Sequence, residues 1–84
     1  MDSKKLIYRL IYQAFLDIRS AAQSGDKNAN TIAYRLSDVF HIVPLQLNRV
    51  EIEGGDYGKV LLDIKEKAKR AKCDRWLDNV IGQL

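Results

Sequence analysis

Residues 3–23 read SKKLIYRLIYQAFLDIRSAAQ, and within them Ile7, Leu10, Ile11, Ala14, Phe15, Ile18 and Ala22 recur at steps of three and four. An α-helix turns about 100° per residue, so this spacing gathers those side chains on one face and predicts a long amphipathic first helix. Asp2 or Ser3 can accept hydrogen bonds from its free N–H groups. Ser24-Gly25-Asp26 supplies the stop, because glycine tolerates the left-handed backbone that ends helices.

The same stretch carries a second apolar band. Tyr8, Tyr12 and Leu16 are spaced by four and lie well round the helix from Ile7, Ile11 and Ile18. Two readings follow. Either this is the central helix of a bundle, touching neighbours on both sides, or the band is a contact surface for another protein. Tyrosine suits the second role, since it buries a large ring and keeps its hydroxyl in water. Base stacking on Tyr8 and Tyr12 beside Lys5, Arg9 and Arg19 is a third use of the same residues, although no recognisable single-strand-binding signature accompanies them.

Working outward, Gly25–Asn30 reads as a polar loop, and a second helix is expected from Asn30 or Thr31 with Ile32, Ala33, Leu36, Val39 and Phe40 inward and Val43 as a further candidate for that face. Pro44 should end it, lacking an N–H and disfavouring helical geometry in the residue before it. Pro44 also fits the first turn of a short segment of one or two turns, with Leu45, Leu47 and Val50 towards the core and Gln46, Asn48 and Arg49 in solvent. Gly54-Gly55 breaks the chain, and Asp56 is placed to cap a third long helix, about 56–72, burying Tyr57, Val60, Leu61, Ile64, Ala68 and Ala71. Trp76, Leu77, Val80, Ile81 and Leu84 keep helical spacing but are offset from that stripe. A break near residues 72–74, with Asp74 capping a short last helix, is therefore expected. No strand-like alternation or repeat interrupts this pattern. The predicted fold class is all-α: one domain over residues 1–84, a bundle of three main helices plus short segments, with Phe15, Leu36, Phe40, Leu61, Ile64 and Trp76 meeting in the core.

Composition bounds the function. With 84 residues, 46% hydrophobic and 30% charged, the chain can bury one modest core but has no room for a deep cofactor cleft. Cys73 is alone, so no intramolecular disulfide or Cys/His zinc cluster is available. Met1–Leu6 lacks the small-residue cleavage site of a secretory signal, and no apolar run approaches the ~20 residues of a membrane span; a cytoplasmic protein is expected. The net charge of +3 is unevenly placed: residues 59–75 hold seven basic and three acidic side chains, the rest seven and eight. That stretch is an ordinary solvated face or a footprint for an anionic partner.

Residues capable of chemistry are sparse. His41 is the lone histidine and reads as a capping or core hydrogen-bonding residue. Asp74 and Asp78 share a helical face but suit a helix N-terminus better than a cation. Gly54–Gly58 lacks the lysine and hydroxyl of a phosphate loop, and Cys73 has no evident base. The expectation is a non-enzymatic protein with no cofactor, metal or small-molecule substrate.

Residues 36–51, LSDVFHIVPLQLNRVE, resemble the helix-turn-helix of bacterial repressors: a leucine-bearing helix, a turn, then a helix with a buried leucine followed by polar side chains. The chain has His41 where that turn usually carries glycine, and Glu51 and Glu53 follow Arg49. The resemblance implies that Gln46, Asn48 and Arg49 face DNA, with Lys65, Lys69 and Lys72 of the basic helix 59–75 supplying phosphate contacts. More broadly, residues 36–41, Pro44-Leu45 and Trp76-Leu77-Asp78 resemble a group of small bacterial helical proteins with no established activity, which implies a compact bundle and a bacterial source. Two functions are thus expected to compete. One is protein binding, by self-association or attachment to a partner, through Tyr8, Tyr12 and Leu16; the other is DNA binding through residues 36–51 and 59–75.

Overall fold

The computed structural model describes residues 2–84, so Met1, within the predicted domain, lies outside the described residues. Five helices follow one another: α1 (Ser3–Ser24), α2 (Lys27–Phe40), α3 (Val43–Glu53), α4 (Tyr57–Arg70) and α5 (Asp74–Gly82), with no strand among the described residues. The all-α architecture is as the periodicity predicts. α1 is the spine, lying along α2 and meeting α4 and α5, while α4 also packs against α2, α3 and α5. The bundle measures 41 × 23 × 21 Å, its long dimension close to the ~33 Å of a 22-residue helix. No described helix is long and apolar enough to cross a membrane.

Local chemistry sets the boundaries. Asp2 accepts from the Lys5 amide at 2.8 Å to start α1, and Gly25 ends it at φ 70°. Asp26 accepts from Asn28 N, so α2 begins at Lys27 rather than at Asn30 or Thr31, and most of the expected loop is its first turn. At its far end His41 Nδ1 donates to the Ser37 and Asp38 carbonyls at 2.9 and 3.1 Å, so the lone histidine caps a helix. Asp56 caps α4 as expected, through Gly58 N. α5 begins at Asp74 after the N-cap Cys73, placing Asp74 in the first turn, where its charge favours the helix dipole.

Ile7, Leu10 and Ala14 of α1 meet Leu36, Val39 and Phe40 of α2, Val43 and Leu47 of α3, Ile64 of α4 and Leu77 of α5 in one core. Trp76 sits at its edge, its ring 5.6 Å from Phe40 in an edge-to-face arrangement, and its Nε1–H donates to Asp17 Oδ2 at 2.7 Å. Leu61 is half-buried.

Five expectations are corrected, the first being Ile32, expected inward but 42% exposed on α2. α3 is three turns rather than one or two, since Val43, Gln46, Leu47 and Val50 continue a helical stripe up to Gly54. Leu45 is exposed because two residues from Leu47 is about 200° of helix, a strand-like spacing that cannot face the core from a helix. On α1 the inward alanine of the last turn is Ala21, not Ala22. Phe15 is not a core residue: it is 49% exposed, and its position on α1 places it with the second apolar band.

Candidate interaction face on the first helix

The side chains of α1 that serve the core are Ile7, Leu10, Ala14 and Ala21, with Ile11 and Ile18 at the margin. Tyr12 is two residues from both Leu10 and Ala14, a rotation of about 200° either way, so it points almost directly away from the core. Leu16 bears the same relation to Ala14. Tyr8 is 46% exposed, Tyr12 57% and Leu16 40%. Apart from the α3 contact of Tyr8, the outward arc is therefore left open by the chain's own helices. Phe15 joins it because seven residues after Tyr8 return to within about 20° of it. Four apolar or aromatic side chains thus form a band rising about 12 Å along the helix axis.

Tyr8 differs from the other three. Its hydroxyl donates to Glu51 Oε1 of α3 at 2.9 Å, and this hydrogen bond, with partial desolvation and the carboxylate charge, pushes the Tyr8 pKa above its ordinary value. Lys4 stands beside the pair, with Nζ 3.9 Å from Glu51 Oε1 and 5.6 Å from the centre of the Tyr57 ring. Tyr8 is accordingly tied to α3 at one edge of the band.

Two shallow grooves flank this side of α1. One, of about 270 Å³, is lined by Tyr8, Ile11, Pro44, Leu47, Asn48 and Glu51. The other, of about 310 Å³, is lined by Ile18, Ala22, Asn30, Ala33, Tyr34 and Ser37. Both open on the same flank of α1, one in its N-terminal half against α3 and one in its C-terminal half against α2. Phe15 lies between them in helical position.

No known protein family, curated protein or solved structure matches the chain.

The residues expected to meet DNA are not brought together. Asn48 and Arg49 are exposed on α3. Gln46 is half-buried instead: its Nε2 donates to Asp63 Oδ2 of α4 at 3.0 Å, and its Oε1 is enclosed without a partner. Asp63 also pairs with Lys67 at 2.9 Å, and the Gln46 hydrogen bond followed by the lysine holds its carboxyl below the usual range. Asp63 therefore marks the side of α4 that faces α3. Lys65 and Lys69 are exposed but lie about 160° and about 120° round the helix from it, and Lys72, also exposed, lies beyond the end of α4. Lys67, Lys69 and Arg70 occupy the last turn of α4, where positive charge complements the exposed carbonyls.

Cys73 is buried between α4 and α5, and that burial, then Asp74, pushes its thiol pKa up, away from the thiolate a nucleophile needs. Phe15 is the exposed residue of this band that spacing by four leaves out. Its spacing of seven from Tyr8 was the available signal, obscured because four residues after Ile11 also read as core spacing.

Proposed function

We propose that this chain is a non-enzymatic, cytoplasmic protein that works through protein contacts, with the outward face of α1 as its docking surface: Tyr8, Tyr12 and Leu16, joined by Phe15. The observation that carries this reading is the aromatic band itself, turned about 110–170° from the core on a helix whose inward face is already fully used. Exposed apolar side chains scattered singly are ordinary, whereas several contiguous on one helix face are a feature of binding surfaces. Aromatic rings there bring large area with few rotatable bonds, which suits the centre of an interface.

Duplex DNA binding draws less support. Affinity for a duplex rests on several cations meeting the phosphates beside the reading helix, and Lys65 and Lys69 point away from the α3 side while Gln46 is engaged within the fold.

The test compares the wild-type chain with Tyr12→Ser/Phe15→Ser as immobilised baits, in quantitative mass spectrometry of bound proteins and in sedimentation equilibrium of the free chains. Both positions are exposed, so matching thermal unfolding of the two baits is expected. A specific protein, or the chain itself, should be retained by wild type and lost by the variant. Equal retention of everything by both baits, with no self-association, refutes the reading.

A further inference from the structure

Resting on that reading, we infer that the outward face of α1 receives an acidic amphipathic helix from another protein rather than a second copy of this chain. The apolar centre of the face is framed by Lys5, Arg9 and Arg19, all exposed and, among the described residues, none paired with a carboxylate. The two carboxylates closest in sequence are already engaged. Asp2 caps the helix, and Asp17 accepts from Trp76 and Gln13 on the far side. The one acid at the rim, Glu51, is held by Tyr8 and Lys4. The face therefore presents apolar anchors inside an uncompensated positive frame. Two copies meeting through it would set like charges against like, which costs specificity and affinity; a partner with carboxylates along one edge meets complementary charge.

The shape argues for a helix. Tyr12 and Leu16 follow Tyr8 at four-residue steps along the band, about 6 Å each, the interval at which an amphipathic helix presents successive apolar anchors.

The experiment uses the whole chain as target for a displayed library of 18-residue helices, with an apolar face of Leu, Ile, Phe and Ala and a polar face randomised between Glu and Lys. The expected pool is net negative, and its enrichment disappears on the Tyr12→Ser/Phe15→Ser target. Fluorescence anisotropy of a selected peptide should then weaken at least ten-fold on Arg9→Glu/Arg19→Glu, and also on raising salt. Enrichment of basic or neutral helices that still depends on Tyr12 and Phe15 overturns the acidic partner and leaves the docking face standing. Enrichment indifferent to Tyr12 and Phe15, or none at all, removes both. Sedimentation equilibrium showing a dimer that Tyr12→Ser/Phe15→Ser abolishes, or tighter binding to anionic lipid vesicles than to any selected peptide, likewise overturns the acidic helix.

Discussion

Lys72 adopts φ 62°, the one non-glycine residue among those described with a positive φ, and it follows the Ala71 cap of α4 with a left-handed φ like that of Gly25 at the end of α1. The matched pair permits a prediction of opposite signs. A side chain in the left-handed region costs roughly 1–2 kcal/mol, from the Cβ approaching the following carbonyl. Glycine removes that cost but adds about 0.5–1 kcal/mol of backbone entropy to be lost on folding. Lys72→Gly should therefore stabilise by about 0.5–1 kcal/mol. The supporting hydrogen bond survives, since Arg35 donates to the Lys72 main-chain carbonyl at 3.3 Å. Unfolding entropy of about 2.1 cal/mol/K per residue over 84 residues converts this into a rise in Tm of about 3–6 °C. Gly25→Ala should lower Tm by a similar amount, and for a backbone reason only, because an added Cβ there meets nothing within 4 Å. Calorimetry of wild type, both variants and Lys72→Ala decides it. Lys72→Ala keeps a Cβ and should stay near wild type. If it gains as much as Lys72→Gly, the relief comes from removing a cation from a basic stretch; if Lys72→Gly loses stability, the strain argument fails outright.

Three further outcomes follow from the packing and the charges. Phe40→Ala should cost about 3–5 kcal/mol, a large part of what a domain of this size has, and the near-ultraviolet dichroism of Trp76, whose ring packs on Phe40, should fall with it. Asp63 has a lowered carboxyl pKa, so the stability it contributes is complete above the ordinary carboxylate value and is lost as pH falls through its lower folded value. In urea titrations Asp63→Asn should trail wild type at pH 6 and converge with it as the pH falls below that folded value. Tyr8 has a raised pKa, so its contribution is present below the ordinary tyrosine value and lost as pH rises through the folded one; Glu51→Gln should move the Tyr8 ring titration down in carbon NMR, and an unmoved titration would contradict the 2.9 Å contact.

The parts of this fold legible in the sequence are those governed by local rules. The caps at Asp2 and Asp56, the stop at Gly25 and the break between Arg70 and Asp74 depend on a few adjacent residues, and each lies where the sequence places it. What was not legible depends on partners distant in sequence. Gln46 reads as a solvent residue until Asp63, seventeen positions on, accepts its amide. Phe15 fits the core period through Ile11 and the outer band through Tyr8, and only the placement of α2, α4 and α5 around α1 chooses between them. The exposed tyrosine band was legible as a band, because spacing by four is local, but whether a neighbour covered it was a tertiary question.

The same three cations that frame this band bear on how the protein behaves alone. An aromatic face on a small bundle invites association, and Lys5, Arg9 and Arg19 oppose it by repulsion between copies, which acts over about 10 Å in 0.1 M salt and about 3 Å in 1 M. Salt should thus act with opposite signs on the two kinds of complex. Raising it screens the repulsion and strengthens apolar contact, so self-association, if it occurs through this face, should grow with salt; an acidic partner should bind less tightly. Sedimentation equilibrium from 0.05 to 1 M sodium chloride reads the first sign. A dimer that is tight at low salt and dissociates as salt rises would require carboxylates to meet these cations across the interface, and none stands free on the outward arc of α1 to do so. That result would relocate the contact to another surface and detach the aromatic band from it.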